Sequence, residues 1–188
     1  MFVFFHFKFD INVEIHFIQE GSIKLQHMLA NDEIDIGLNS FPQVNDEILM
    51  EPLHTTTQGY DVSVVMHKHH PLADRQSIGF KDLKTTAFSA FTNDFMLGQM
   101  ITDRARYFGY EPKIVFVNND WEVLAHSVEN FMSVALIPSA YEPFSTIKDI
   151  VWIPLADKNN YYPIGISLRK GYVCSHEMNE FISIIKTN

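Results

Sequence analysis

The sequence predicts an α/β fold. Three features carry that prediction. Short apolar runs such as "IDIGL", "KIVFV" and "VALIP" recur along the chain. Segments with apolar residues at helical spacing alternate with them, and small polar residues, Gly or Pro punctuate the junctions.

The elements follow in order. From Phe5 to Phe17 the odd positions are apolar and the even ones polar or charged, the alternation a half-buried strand requires, so a strand is expected at about Asn12 to Gln19. Next, "EGSIKLQHMLANDE" offers Ser22 as an N-cap, a face of Ile23, Leu25, Met28 and Leu29, and Asn31 as a left-handed stop. "IDIGL" is then a buried strand, and strand, helix, strand is the right-handed unit of a parallel sheet. The loop "NSFPQVNDE" leads to "ILMEPL". Val62, Val64, Val65 and Met66 form the next strand, ended by Pro71, and "FKDLKTTAFSAF" gives a helical turn and a strand near Thr86 to Phe91.

The clearest helix lies in "TNDFMLGQMITDRARYFGYEP", with Asn93 or Asp94 as cap, Leu97, Met100, Ile101, Ala105 and Phe108 on one face, and Gly109 as terminator. "KIVFV" follows as a strand. In "NNDWEVLAHSVENF", Asn119 stands three residues before Glu122 in capping-box spacing, ahead of a stripe of Val123, Leu124, Val128 and Phe131. "SVALIP" and "IVWIPL" are strands, "PIGISLRK" is another, and "SHEMNEFISIIK" closes the chain as a helix. No repeat and no Pro/Gly-rich linker interrupts this organisation.

Composition excludes several functions. With 188 residues and 46% hydrophobic content the chain is long enough for one sizeable core or two small lobes. Its net charge of -9, from 14 basic residues against 23 acidic ones, is wrong for neutralising phosphates, so the chain is not expected to hold DNA by itself. His6 and Lys8 break the opening apolar run, which is too short to span a bilayer and lacks a cleavage site. No membrane association is expected. The single Cys174 excludes an intramolecular disulfide and suits a cytoplasmic protein.

Three strand ends share a chemical character: "IDIGL" delivers Asn39 and Ser40, "AFSAF" delivers Thr92 and Asn93, and "KIVFV" delivers Asn118, Asn119 and Trp121. In open α/β sheets ligands bind outside the carboxyl ends of strands, where a following helix presents unpaired N–H groups. Asn, Ser and Thr at such junctions also serve as ordinary caps. Catalysis finds little support: Asp94 near Asn93, and Asp32 with Glu33, are the acids that could pair, but acids at caps and in turns are ordinary there, and no nucleophile elbow, phosphate-binding loop or zinc-binding helix motif is present. His67, His69 and His70 in "HKHH" point to opposite faces of a strand that Pro71 ends, so neither a metal nor any other cofactor is expected.

The segments "EGSIKLQHMLANDEIDIGL", "EPL", "VVMHKHHPLA", "DFMLGQMITDRARYFGYEPKIVF" and "HSVENFMSVALIP" resemble, in this order, the effector-binding domain of LysR-type transcriptional regulators. The resemblance runs from about Asn12 to the C-terminus. It implies two Rossmann-like lobes joined by two crossover strands, near Val62 to His67 and Pro163 to Leu168, in the type 2 periplasmic-binding-protein-like arrangement. Residues 1–65 and 165–188 would form lobe I, and 66–164 lobe II.

The cleft between them would hold a small carboxylate. The residues carried over as ligand-binding are Asn39, Ser40, Phe41, Thr92, Asn93, Phe95, Asn119 and Trp121. Such a domain forms a homodimer or higher homo-oligomer and reaches DNA only through a winged helix-turn-helix domain, for which this chain has no counterpart. The family's first effector-domain strand, and most of the helix after it, also lack counterparts here, so lobe I is expected to have an unpaired edge. Ser133 stands where the family usually has Gly. Two alternatives stay open: a truncated regulator fragment that acts only in oligomerisation, and a solute-binding protein or enzyme on the same fold.

Overall fold

A computed structural model describes residues 14–55, 58–157 and 160–187. The chain builds two sheets, each with its own helices. The first contains β1 (Gly37–Ser40), β2 (Ile48–Pro52), β3 (Gly59–Tyr60) and β9 (Tyr162–Arg169). Within it β9 is central, with β1, β2 and β3 all antiparallel to it. The second contains β4 (Val62–His67), β5 (Ala87–Ala90), β6 (Lys113–Val117), β7 (Val134–Pro138) and β8 (Ile150–Pro154), in the order β6, β5, β7, β4, β8. Parallel pairs between these strands occur only here, β5 with β6 and with β7. The parallel unit read from "EGSIKLQHMLANDEIDIGL" is therefore not formed among the described residues: α1 (Ser22–Ala30) leads into β1, whose sheet partner is β9.

The helices α2 (Met96–Tyr107) and α3 (Trp121–Phe131) cover the second sheet. The core between them is large, with Phe80, Phe88, Leu83, Ile101, Leu124, Leu136 and Ile137 fully buried. The helical spacing read in α2 delivers Leu97, Met100, Ile101 and Ala105 to that core. The first sheet has a smaller core of Leu53, Ile164, Ile166 and Ile185, the last from α4 (His176–Thr187). Its other face is covered by α1 through Leu29 and Gln26. No described helix is long and apolar enough to cross a membrane.

Several local expectations are corrected. Residues 14–19 form no strand, and Ile15, Phe17 and Ile18 are exposed. A strand needs neighbours for its N–H and C=O groups, and β1 pairs with no described strand except β9. The rest of the alternating segment lies outside the described residues.

Helix caps shift by a residue or two. Gly21, not Ser22, precedes α1. The left-handed residue is Asp32 (φ 61) rather than Asn31, and Phe95 rather than Asn93 or Asp94 precedes α2. Asp120 replaces Asn119 as the cap of α3, its carboxylate accepting from the Glu122 and Val123 amides. Gly109 does take the left-handed conformation expected of a terminator (φ 78). In the turn before β7 the positive φ falls on Met132 (φ 47), so Ser133 bears no strain there and instead shares a 2.7 Å hydrogen bond with Ser89. β4 ends at His67, before Pro71.

Candidate functional site

The end of β1 is fastened from two sides. The Ser40 amide donates to Ser22 Oγ at 2.9 Å, and Ser40 Oγ lies 3.1 Å from Tyr60 Oη. Register pairs Tyr60 with Tyr162 across β3 and β9, and their rings stack at 5.6 Å. Burial pushes the Tyr60 phenol up to about 12, against the hydrogen bond from Ser40. Tyr162 Oη in turn donates to Met100 Sδ on α2, so this aromatic pair reaches from one sheet to the helices of the other.

On the second sheet, the loops after β5 and β6 meet. Thr92 Oγ1 donates to Asn119 Oδ1 at 2.5 Å, and the Asn118 amide donates to the Ala90 carbonyl at 3.1 Å. The Phe95 amide donates to Thr92 O at 3.0 Å, and the Phe91 and Phe95 rings stack. Gly98 makes this turn possible. A Cβ there would stand 2.2 Å from Thr92 O, so only glycine lets α2 pack so close to the loop. Trp121, at the start of α3, stacks on Tyr141 with ring centroids 4.7 Å apart. Burial, then the charge of Asp120, pushes Tyr141 up to about 12.

Ser40 and Tyr60 thus meet at the end of β1, Thr92 and Asn119 meet where the loops after β5 and β6 come together, and Trp121 stacks on Tyr141. Asn93 is exposed on the same loop, and Phe41 lies half-buried beside Gly165. Asn39 does not join them. Strand alternation turns it to the α1 side, where it is fully buried and its amide donates to Ser167 Oγ.

Sequence reasoning missed Ser22 as a partner of Ser40, and it missed Tyr60, Tyr141 and Tyr162. No local pattern marks these tyrosines, because their meeting depends on long-range register. Chemically, the region offers hydroxyls that donate or accept, amides, and aromatic faces, a lining suited to a small polar ligand with an apolar body.

Among the described residues no group of three or more His, Cys, Asp or Glu side chains is placed to hold a metal. His67 and His69 sit beside the Lys68–Asp149 ion pair instead. A separate hollow of about 450 Å³, lined by His70, Thr86, Lys113, Phe131 and Met132, gathers none of the residues expected at the ligand site.

Comparison with known proteins bears on this arrangement. The solved effector-binding domain of QuiR, in complex with shikimate, superposes with a TM-score of 0.77 at 18% identity, covering 91% of this chain and 79% of that one. The BenM effector-binding domain with benzoate gives 0.66 at 19%, covering 88% and 73%. Among curated proteins, the HTH-type transcriptional regulator YwbI of Bacillus subtilis is 27% identical over 85% of this chain and 52% of its own. The transcriptional dual regulator GltC of the same organism is 23% identical over 89% and 55%. The chain spans a little over half the length of these curated relatives. The model of the LysR substrate binding domain matches residues 11–188. With that match covering nearly its whole length, the chain belongs to the LysR substrate-binding domain family, a family of regulators' ligand-binding domains rather than of enzymes.

Proposed function

We propose that this domain senses a small carboxylate held in the cleft between its two sheets, and that it serves a LysR-type transcriptional regulator. What supports the reading is a polar strand end on each sheet, Ser40 beside Tyr60 on the first and Thr92 bonded to Asn119 on the second, with the Ile23 amide on the Asp94 carbonyl joining the two sides. Phe41, Asn93 and Phe95 complete the lining, and Asn39 is buried beneath the same strand, bonded to Ser167. The shikimate of QuiR and the benzoate of BenM are both ring carboxylates, which supports this class.

In this reading the lobes follow the two sheets, so β4 (Val62–His67) belongs entirely to the second lobe and β9 (Tyr162–Arg169) entirely to the first, and the boundaries fall a few residues before the expected 65/66 and 164/165. The protein works in the cytoplasm as a homodimer or higher homo-oligomer, and a winged helix-turn-helix domain of the whole regulator contacts DNA.

A thermal unfolding scan against a panel of small carboxylates, from two-carbon acids to dicarboxylates and aromatic acids, tests the proposal. A ligand at a hundred times its dissociation constant adds about 2.7 kcal/mol, a rise of roughly 5–11 °C at this size. Thr92→Ala and Ser40→Ala should each remove the rise. The reading fails if no acid moves the transition.

One observation favours a second reading, a chain that acts only by assembling with other copies: β1 has a free edge among the described residues, and Ile15, Phe17 and Ile18 stand exposed. In that case every ligand leaves the transition in place while its midpoint depends on protein concentration.

A further inference from the structure

The two sheets touch at a point that neither the strands nor the aromatic cluster explains. Ile23, the second residue of α1, has by helix geometry no carbonyl partner within its own helix. Its amide donates instead to the carbonyl of Asp94, at 3.0 Å, in the loop that opens α2 on the other sheet. Gly21 lies against the same peptide. A Cβ at position 21 would stand 2.3 Å from Asp94 O, 2.5 Å from its carbonyl carbon and 2.9 Å from Phe95 Cδ2. The backbone at Gly21 is ordinary extended chain, φ -65 and ψ 146, which any residue adopts. Glycine is therefore required here for room and not for conformation. The obstacle is main chain, which cannot swing aside as a side chain can.

This contact joins the two halves of the ligand site directly. Ser22, next to Gly21, holds the Ser40 amide, while Thr92 and Asn93 immediately precede Asp94. The chain itself crosses between the sheets from Tyr60 to Val62 and from Leu155 to Tyr162, so the Gly21–Asp94 contact is a tie that can open without breaking a covalent connection. We propose that it is a clasp: when made, it holds the lobes together at the cleft, and when broken it lets them separate. Gly21 is the residue that permits closure. The inference rests on the reading of this cleft as the effector site, since only there does separation of the lobes govern access.

The test is hydrogen exchange of the Ile23 amide, followed by NMR in the full chain. The clasp predicts that Ile23 exchanges through a local opening with little denaturant dependence, unlike core amides such as Val65. Gly21→Ala should speed Ile23 exchange at least tenfold while leaving the Val65 amide protected. Gly79→Ala, where the nearest atom to a Cβ is 3.6 Å away, should leave Ile23 as it was.

Spin labels at the exposed positions His27 and Tyr107, on a Cys174→Ser background, should report a longer separation in Gly21→Ala. The proposal is overturned if Ile23 in the unaltered chain exchanges only through global unfolding, a result that stands even if Gly21→Ala fails to fold. It is equally overturned if Gly21→Ala folds and changes neither exchange nor distance. No ligand enters these measurements, so a failed carboxylate panel and a failed clasp are separate results.

Discussion

Replacing Gln26 by Leu tests how the loop at the end of β1 is held. Gln26 is fully buried on α1, and its amide bridges three backbone groups of the loop between β1 and β2. Nε2 donates to Pro42 O at 3.1 Å, while Oε1 accepts from the Val44 amide at 2.7 Å and the Asn45 amide at 3.3 Å. A hydrogen bond of this kind contributes about 1 kcal/mol net, and the longest of the three contributes less. Leucine keeps most of the side-chain volume, so the cavity cost is small and the loss is dominated by the orphaned loop groups. The expected destabilisation is about 2 kcal/mol, a fall in Tm of roughly 4–8 °C at this size. Chemical denaturation gives the free energy, and exchange at the Val44 amide should accelerate beyond the global change. A shift within about 0.5 kcal/mol, the range of an inconsequential surface substitution, would refute the idea that this side chain organises the loop.

Gly98→Ala should destabilise by about 1–3 kcal/mol, the usual cost of overpacking, and should abolish any carboxylate response, because its Cβ would collide with the carbonyls of Thr92 and Phe91. Stability should also fall at high pH. Tyr60, Tyr110 and Tyr141 are all pushed up to about 12, so folding favours their neutral form. That contribution is complete below about pH 10 and disappears as the pH rises through about 12. For the deeply buried Tyr60 it amounts to roughly 2–3 kcal/mol, visible in denaturation midpoints alongside late phenolate absorbance. Phe17→Ser should change stability by less than about 0.5 kcal/mol, since Phe17 is 72% exposed, whereas a loss above 1 kcal/mol would show that the strand expected there does form.

The second sheet was largely legible because its signals are local. Val62, Val64, Val65 and Met66 read as a buried strand and are one, and the face of α2 falls where helical spacing puts it. Asp120 could replace Asn119 as a cap because either side chain can accept from the first-turn amides, and only the backbone decides between them. The strand expected at residues 12–19 shows the limit of periodicity. Alternation records which faces the side chains prefer, but a strand also needs a neighbour, and pairing is a property of the whole fold. Of the site, the polar strand ends were readable one by one. Their convergence was not: Thr92 meets Asn119, and Ser40 meets Tyr60, through contacts that no window of sequence contains. Gln26 was invisible for the opposite reason, since a glutamine on a helix ordinarily faces solvent.

The two sheets are unequally supported, and this carries a last prediction. The second has a deep core on which α2, α3 and the turn at Phe80 all pack. The first relies on Leu53, Ile164, Ile166 and Ile185 on one face and on Leu29 and Gln26 of a short helix on the other, with β1 at a free edge among the described residues. Apolar burial contributes about 25 cal/mol per Å², so the first sheet has far less to hold it. Amides of β1 such as Leu38 should therefore exchange through a partial opening that leaves β4 and β7 protected. A ligand spanning Ser40 and Thr92 is lost in the partial opening and in global unfolding alike, so it should slow β1 and β7 exchange by the same factor. Equal opening free energies for β1 and β7 without ligand would refute the asymmetry. Slowing of β7 with β1 unchanged would place the ligand's contacts on the second sheet alone. A weak first lobe would thus be the element whose order a ligand controls, while the second supplies the fixed half of the site.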